Sequence, residues 1–125
     1  MSLTTGVDII EIARIGRVVE RYGQRFLRRI YTPGEIEYCR ERPPNLAARF
    51  AAKEATMKAL GTGVRGVAWK DIEVVRAPSG APGILLHGRA DSRAQRLGVE
   101  EISLSISHSR DYAVAFVVAR RQPPE

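Results

Sequence analysis

Apolar and polar side chains alternate with a period of two in two short stretches of the chain, which predicts β-strands. In the first, residues 5–10, Asp8 lies on the face opposite to its valine and isoleucine neighbours. In the second, residues 102–107, the isoleucines and the leucine point inwards and the serines outwards. A third stretch, residues 112–119, is almost entirely apolar, so it is predicted to be a central strand covered on both faces.

The clearest helical pattern covers residues 46–60. Asn45 is predicted to cap its N-terminus and Gly61 to end it. The helix is rich in alanine, and small side chains let other backbones approach closely, so we expect it to be central and largely buried. Shorter helices are predicted from Ile12 to a break at Gly23, after a capping box that begins at Thr32, and over residues 89–97.

These elements predict an α+β fold in which a mainly antiparallel sheet packs on one long central helix plus shorter helices. Residues 71–76 and 84–87 flank a turn rich in proline and glycine and are predicted to form a hairpin. A chain of 125 residues is the length of one domain. We expect that domain over residues 1–119, followed by a flexible C-terminal tail at 120–125, which is polar and rich in proline.

The net charge of the chain favours partners that carry negative charge. The chain carries a net charge of +6, which favours an acidic protein, a phosphorylated small molecule, nucleic acid or anionic lipid. No apolar run approaches the ~20 residues that a membrane span needs. Cys39 is the single cysteine and no signal-peptide pattern is present, so we expect a cytoplasmic protein without disulfides and without a membrane partner.

Glu54 and Lys58 are four residues apart in the predicted long helix and therefore share a face. On most helices such a pair is a surface ion pair that modestly supports the helix. The rest of this face consists of Ala47, Ala51 and Ala55. Small residues leave space around the two charges, which favours a functional site over a surface pair.

Asp8 is a candidate partner for that pair, because aspartate is a poor strand former and its position therefore needs a reason. The alternative is an exposed position at the edge of the sheet. Together with Glu54, Asp8 could hold Mg²⁺, which usually binds one or two carboxylates plus phosphate oxygens and water.

Two further segments are weaker candidates. Gly61, Thr62 and Gly63 follow the C-terminal end of the long helix, so the helix dipole does not favour phosphate there, although glycines let a ligand approach the backbone. The alternative for this loop is a simple helix stop. His108 ends the strand at 102–107, where it suits phosphate binding or acid–base work as well as it suits a turn.

A row of arginines lies on one side of the first predicted helix. Arg14, Arg17 and Arg21 share that side whether or not the helix continues past Gly23. A solvated basic face is the common explanation. Such a row also suits the carboxylates of a partner helix, because guanidinium groups pair with carboxylates in a bidentate geometry.

Several of these residues fall in motifs of one family. The segment RFAAKEA at 49–55, followed by Lys58-Ala59 and by GTG at 61–63, resembles the hallmark stretch of the small bacterial 4′-phosphopantetheinyl transferases, the holo-acyl-carrier-protein synthases. GVDI at 6–9 resembles the first motif of that family, and SISH at 105–108 resembles the last. The resemblance extends over nearly the whole chain, in order and at the expected spacing.

The resemblance implies the 4′-phosphopantetheinyl transferase fold and a homotrimer with active sites between subunits. It implies transfer of the 4′-phosphopantetheine arm of coenzyme A to a serine of an acyl carrier protein. Asp8 and Glu54 would hold Mg²⁺ on the pyrophosphate, and Lys58 would contact phosphate, so these three residues form the implied catalytic set.

Other implied roles concern the two substrates. Arg49 and His108 would lie near the 3′-phosphate and the adenosine of coenzyme A, and the loop at 61–63 would contact the same molecule. The basic first helix, with Arg14, Arg17 and Arg21, would dock the acidic carrier protein.

Two alternatives from other classes remain open at the level of sequence. The net charge suits a basic nucleic-acid-binding domain, but only 6% of the residues are aromatic and no zinc or helix-turn-helix pattern is present. A non-catalytic scaffold that binds carrier protein is the second alternative, and it leaves the set of Asp8, Glu54 and Lys58 without a purpose.

Overall fold

A computed structural model of the chain describes residues 1–122, which contain five strands and five α-helices. The strands are β1 (Ser2–Glu11), β2 (Ile72–Arg76), β3 (Pro82–Leu86), β4 (Val99–His108) and β5 (Tyr112–Arg121). The helices are α1 (Ile12–Tyr22), α2 (Gln24–Ile30), α3 (Pro33–Cys39), α4 (Pro43–Leu60) and α5 (Gly88–Leu97). Two 3₁₀ turns, Gly63–Arg65 and Trp69–Asp71, connect α4 to β2.

The strands form two antiparallel sheets rather than the single sheet that was predicted. One sheet has the order β1-β5-β4, and the other is the β2–β3 hairpin. The α+β class is confirmed, and so is the central place of β5 in its sheet. No helix in the described part of the chain is both long and apolar enough to cross a membrane.

The prediction that β5 is covered on both faces is wrong for a single chain. On one face, alanines and Val117 are fully buried against α4. On the other face Phe116 is 46% exposed, and its cross-strand partner Val7 on β1 is 54% exposed. The three-stranded sheet therefore presents an apolar outer face that residues 1–122 leave uncovered.

Strand β5 also extends further than predicted. Arg120 and Arg121, which were assigned to the flexible tail, pair with Leu3 and Ser2 of β1. The side chain of Arg120 contacts Glu100 at 3.1 Å. The tail prediction is therefore wrong for these two residues, and the rest of it, apart from Gln122, lies outside the described residues.

Helix α4 begins earlier than predicted. Asn45 is not its cap, because Pro43 and Pro44 already occupy the first helical turn and Arg42 is the capping residue, without a side-chain bond. Proline suits the first positions of a helix, where its missing N–H is not needed. The predicted stop at Gly61 is confirmed, since this glycine has φ of 70° and adopts the left-handed conformation.

The sequence predicted that the alanines of α4 leave open space beside Glu54 and Lys58, and this prediction is wrong. Ala47, Ala51 and Ala55 are fully buried. A Cβ atom added to Gly6 of β1 would overlap the carbonyl oxygen of Ala55, so strand and helix touch backbone to backbone. The alanine surface thus brings β1 close to α4, and this contact positions Asp8.

A buried ion pair ties α4 to α3 and to the hairpin. Lys53 donates from Nζ to Oε1 of Glu35 at 2.7 Å, and neither side chain is exposed. The same ammonium group donates to the carbonyl oxygens of Trp69 and Ile72. Glu35 also accepts from the backbone N–H groups of Thr32 and Val74, and the predicted capping box at Thr32 is confirmed. Lys53 is therefore a structural residue although it lies next to Glu54.

The contact between Gly6 and Ala55 gives a testable prediction. We expect Gly6→Ala to destabilise the protein by about 1–3 kcal/mol, because the added methyl group forces β1 away from α4. Urea unfolding would measure the change in free energy. Gly16→Ala in α1 is the matched control, since its Cβ would lie 3.6 Å from Pro43, an ordinary contact distance, and alanine favours the helix. Equal stability of the two variants would contradict the close approach.

Candidate active site

Three predicted residues converge where β1 lies on α4. Lys58 donates from Nζ to the backbone carbonyl oxygen of Val7 at 2.8 Å and to Oδ1 of Asp8 at 3.3 Å. The Lys58 side chain is 53% exposed and that of Asp8 is 13% exposed. The ammonium group is therefore held at the surface by a strand that lies fifty residues away in sequence, rather than by its helix neighbour Glu54.

The carboxyl group of Glu54 completes this cluster. Partial burial raises the pKa of Glu54, and the negative charge of Asp8 together with a hydrogen bond to its carboxyl group raises the pKa further. Lys58 and Arg14 lower the pKa of Glu54, but not enough to reverse the shift. Two carboxyl groups held this close repel each other when both are ionised, so the pair favours a proton or a cation between them.

The described residues contain no group of three or more His, Cys, Asp or Glu side chains that could enclose a metal ion. The candidate metal ligands are therefore the two carboxylates of Asp8 and Glu54. Two carboxylates are the usual protein share of a Mg²⁺ site whose other ligands come from substrate phosphates and water. The donor set fits Mg²⁺ that is bound together with a phosphate-bearing substrate.

The loop after α4 follows Lys58 directly. Gly61 donates from its backbone N–H to the carbonyl oxygen of Lys58 at 3.1 Å. Thr62 is half-buried and its Oγ1 is buried without a hydrogen-bond partner among the described residues. Gly63 has φ of 59°, and a Cβ added there would meet nothing within 4 Å. The loop therefore has unoccupied space next to Gly63 and a buried hydroxyl group at Thr62 that forms no hydrogen bond with a described residue.

Arg49 and His108 lie together in a separate cavity of about 340 Å³. Tyr38, Arg76 and Pro82 contribute to its lining. The Arg49 guanidinium lies 4.2 Å from the centroid of the Tyr38 ring, and Arg76 donates to the Tyr38 hydroxyl group at 2.6 Å. The cavity is thus lined by two guanidinium groups and an imidazole around one aromatic ring.

The charge of Arg49 is unusual for its burial. The residue is 5% exposed, its Nε has no hydrogen-bond partner, and it forms no ion pair with any residue from 1 to 122. Removing a cation from water without a counter-ion is costly. An anion bound in this cavity would supply the missing charge, so Arg49 favours an anionic ligand there.

Tyr38 and Arg76 were not found by sequence reasoning. They are thirty-eight residues apart and meet only through the packing of α3 on the hairpin. Their types are common on protein surfaces and no spacing relates them, so the sequence contains no local signal for this pair. Arg49 and Glu54 are five residues apart on α4, and the structure places Arg49 in this cavity, whose lining does not include Glu54.

The two clusters lie on opposite edges of the three-stranded sheet. Asp8 is on β1 and His108 is on β4, with β5 between them. Neighbouring strands are about 4.8 Å apart, so the two residues are separated by roughly 10 Å across the sheet. Within one chain, the carboxylate cluster and the arginine cavity are therefore separate sites.

Arg14, Arg17 and Arg21 are exposed along α1, as predicted. The predicted break is also confirmed, because Gly23 has φ of 54° and ends α1. Arg14 is close enough to Glu54 to lower the pKa of its carboxyl group. The basic row thus begins beside the carboxylate cluster and runs away from it.

Comparison with known proteins shows which family this chain is similar to. A family model described as the ACPS 4′-phosphopantetheinyl transferase superfamily matches residues 4–117. A holo-[acyl-carrier-protein] synthase of Koribacter versatilis (strain Ellin345) is 53% identical over 122 residues, which cover 94% of this chain and 98% of the relative. A protein of the same name from Solibacter usitatus (strain Ellin6076) is 54% identical over 123 residues and is covered to 98%.

Solved structures give the same result. The holo-[acyl-carrier-protein] synthase of Helicobacter pylori in complex with coenzyme A superposes with a TM-score of 0.85 at 36% identity, covering 93% of this chain and 99% of that chain. The corresponding protein of Neisseria meningitidis gives a TM-score of 0.87 at 37% identity, covering 94% and 98%.

Proposed function

We infer the function of this chain from its family, since the chain belongs to the 4′-phosphopantetheinyl transferase superfamily. It is a holo-[acyl-carrier-protein] synthase that transfers the 4′-phosphopantetheine group of coenzyme A to a serine of apo acyl carrier protein. The products are holo acyl carrier protein and 3′,5′-ADP. The structural observation that carries this function is the convergence of Asp8, Glu54 and Lys58 at the contact between β1 and α4.

For the metal, Asp8 and Glu54 are the residues that would hold Mg²⁺. Their mutual repulsion, expressed in the raised pKa of Glu54, is the observation that favours a cation. A bound Mg²⁺ supplies positive charge to the pyrophosphate of coenzyme A, which is much of what phosphoryl transfer requires.

Lys58 and Glu54 have different roles in the transfer reaction. The serine oxygen of the carrier protein forms a bond to the β-phosphorus of coenzyme A, and the bond from that phosphorus to the bridging oxygen breaks. Lys58, held by Val7 and Asp8, neutralises charge on the phosphate oxygens. Glu54 accepts the serine proton directly or through water, since it is the carboxylate of the cluster that lies on α4 beside Lys58.

The cavity around Arg49 and His108 is proposed to bind the 3′-phosphate and the adenosine of coenzyme A. The buried and unpaired charge of Arg49 supports this, since a phosphate group is the anion that this substrate provides. The loop of Gly61, Thr62 and Gly63 is proposed to contact the same molecule near its pyrophosphate, because it follows Lys58 by one turn.

The exposed row of Arg14, Arg17 and Arg21 is proposed to dock the carrier protein. The row begins next to Glu54, so an acidic helix bound along α1 would bring its serine towards the carboxylate cluster. Acidic partners are attracted to such a surface over several ångströms, and the attraction weakens with salt. A cytoplasmic location suits this partner and the single buried cysteine.

We further propose that the protein is a homotrimer whose active sites lie between subunits. The outer face of the three-stranded sheet exposes Val7, Ile9 and Phe116 beside one another on β1 and β5. Contiguous apolar surface of this kind favours a protein interface. Active sites between subunits are what the resemblance to this family implies for such an assembly.

Substitution at this face tests the assembly. We expect Phe116→Asp to dissociate the trimer, because the interface would bury an unpaired carboxylate. Light scattering coupled to size exclusion would then give a mass near the 13.8 kDa of one chain instead of three times that value. Leu85→Asp, on the outer part of β3 and 48% exposed in the native chain, is the control and should leave the trimer intact. A trimer that persists in Phe116→Asp would exclude this face as the interface.

The reaction itself is tested by intact-mass spectrometry of an apo acyl carrier protein incubated with this protein, coenzyme A and Mg²⁺. We expect a mass gain of one phosphopantetheine group that EDTA abolishes. A gain that survives EDTA would refute the metal but not the transfer. No gain from a folded protein, together with no binding of coenzyme A, would refute the function and favour the alternatives of nucleic-acid binding or a scaffold, which the family membership does not support.

A further inference from the structure

A second group of cations lies on α5, beside the loop of Gly61 and Thr62 that is proposed above to contact coenzyme A. Arg89, Arg93 and Arg96 are spaced four and three residues apart on α5, so they form one stripe along the helix. They line a cavity of about 320 Å³ whose other wall is the turn after α4, including Gly61 and Thr62. We call this cavity the α5 arginine pocket.

The three guanidinium groups have no counter-charge in the described chain. None of them forms an ion pair with a residue from 1 to 122. Asp91, the one acidic residue of α5, accepts a hydrogen bond from Gln95 instead. Like charges at these spacings destabilise a helix, so the stripe works against the stability of α5. This arrangement is explained by a ligand that brings negative charge.

The opposite wall has the chemistry of an anion site. Arg93 lies against Gly61, since its Nη2 would be 3.5 Å from a Cβ added there, and its Nε donates to the carbonyl oxygen of Leu60 at 3.1 Å. This bond fixes the guanidinium at the end of α4 and leaves its other nitrogens free. The hydroxyl group of Thr62 is buried in this wall and has no hydrogen-bond partner among the described residues.

We propose that the α5 arginine pocket is a second anion site, which binds a small phosphate-bearing ligand. Guanidinium forks pair with phosphate oxygens in a bidentate geometry. The cavity volume is in the range of small-molecule sites. The pocket is distinct from the Arg49 cavity, whose lining residues it does not share.

The position of the pocket links it to the carboxylate cluster. Gly61 and Thr62 donate their backbone N–H groups to the carbonyl oxygens of Lys58 and Met57 in the last turn of α4. A ligand on this wall therefore stiffens the turn that carries the Lys58 side chain. Binding itself does not require the transfer reaction, so the site can be tested separately from the proposed function.

The test is a titration of the ¹⁵N-labelled full chain with inorganic phosphate, followed by the backbone amide signals of Gly61, Thr62 and Gly66. We expect saturable shifts of these signals, and a dissociation constant at least roughly tenfold higher in Arg89→Gln/Arg96→Gln, because two charge-assisted contacts are lost. Arg28→Gln/Arg110→Gln removes the same charge from exposed positions outside the pocket and should bind phosphate as the native chain does.

A parallel titration with sodium chloride at matched ionic strength separates binding from general screening. Chloride should give no saturable shift of the three signals. Equal shifts with chloride, equal phosphate affinity in the two double variants, or no shift in the native chain would each overturn the proposal. Saturable shifts of amides around Arg49 alone would assign phosphate to the nucleotide cavity and would likewise overturn it.

Discussion

Glu54→Gln is expected to lower the rate of phosphopantetheine transfer by about a thousandfold or more while the protein stays folded. Glutamine has the shape of glutamate but cannot accept the serine proton, and its neutral amide is a poor ligand for Mg²⁺ beside Asp8. The substitution therefore removes both roles that the proposed mechanism assigns to Glu54, those of proton acceptor and Mg²⁺ ligand. The rate is measured as conversion of apo to holo carrier protein by intact mass.

The same substitution should not reduce stability. The pKa of Glu54 is raised in the folded protein, so its ionised form is disfavoured there relative to the unfolded chain. This costs stability above the folded pKa, and the cost disappears as the pH falls below the unfolded value. Without a metal, Glu54→Gln should therefore be at least as stable as the native chain at neutral pH, with the difference vanishing in acid.

A matched control distinguishes the site from a general effect of charge. Glu37→Gln removes an exposed carboxylate on α3 and should transfer at the native rate. Near-normal transfer by Glu54→Gln would remove this residue from the mechanism. A large loss of urea stability in Glu54→Gln would contradict the repulsion that we infer between Glu54 and Asp8.

Lys53→Met is expected to destabilise the protein by about 3–5 kcal/mol. The substitution leaves Glu35 fully buried with two backbone donors but no counter-charge. Burial lowers the pKa of Lys53 and the Glu35 carboxylate opposes that shift, so each charge is tolerated in the core because of the other. Urea unfolding, with the slope checked for two-state behaviour, measures the loss.

Lys58→Met provides the control on the same helix. Its side chain is 53% exposed, and its hydrogen bonds within residues 1–122 go to Val7 and Asp8, so its removal should change stability by less than about 0.5 kcal/mol while transfer falls. The double variant Lys53→Met/Glu35→Leu should recover part of the loss, since no charge remains buried. A Lys53→Met variant as stable as Lys58→Met would show that the ion pair does not hold α3 to α4.

The sequence by itself determined the local elements of this protein. The capping box at Thr32 and the stops at Gly23 and Gly61 are all present in the structure. Each depends on hydrogen bonds or backbone angles within about four residues, so neighbouring residue types are sufficient to predict it. The motifs at 49–63 likewise identified the family, because their residues are contiguous on α4 and the loop after it.

Only the tertiary structure decided which distant residues meet. Lys58 pairs with Asp8 rather than Glu54, and Lys53 pairs with Glu35 in the core. The outer face of β5 is left uncovered by the described part of the chain. These outcomes depend on the packing of sheet against helix, where a glycine on β1 allows contact with an alanine on α4. Such contacts have no period or spacing along the chain. Which charged residues pair across the contact between sheet and helix is therefore visible only in the folded structure.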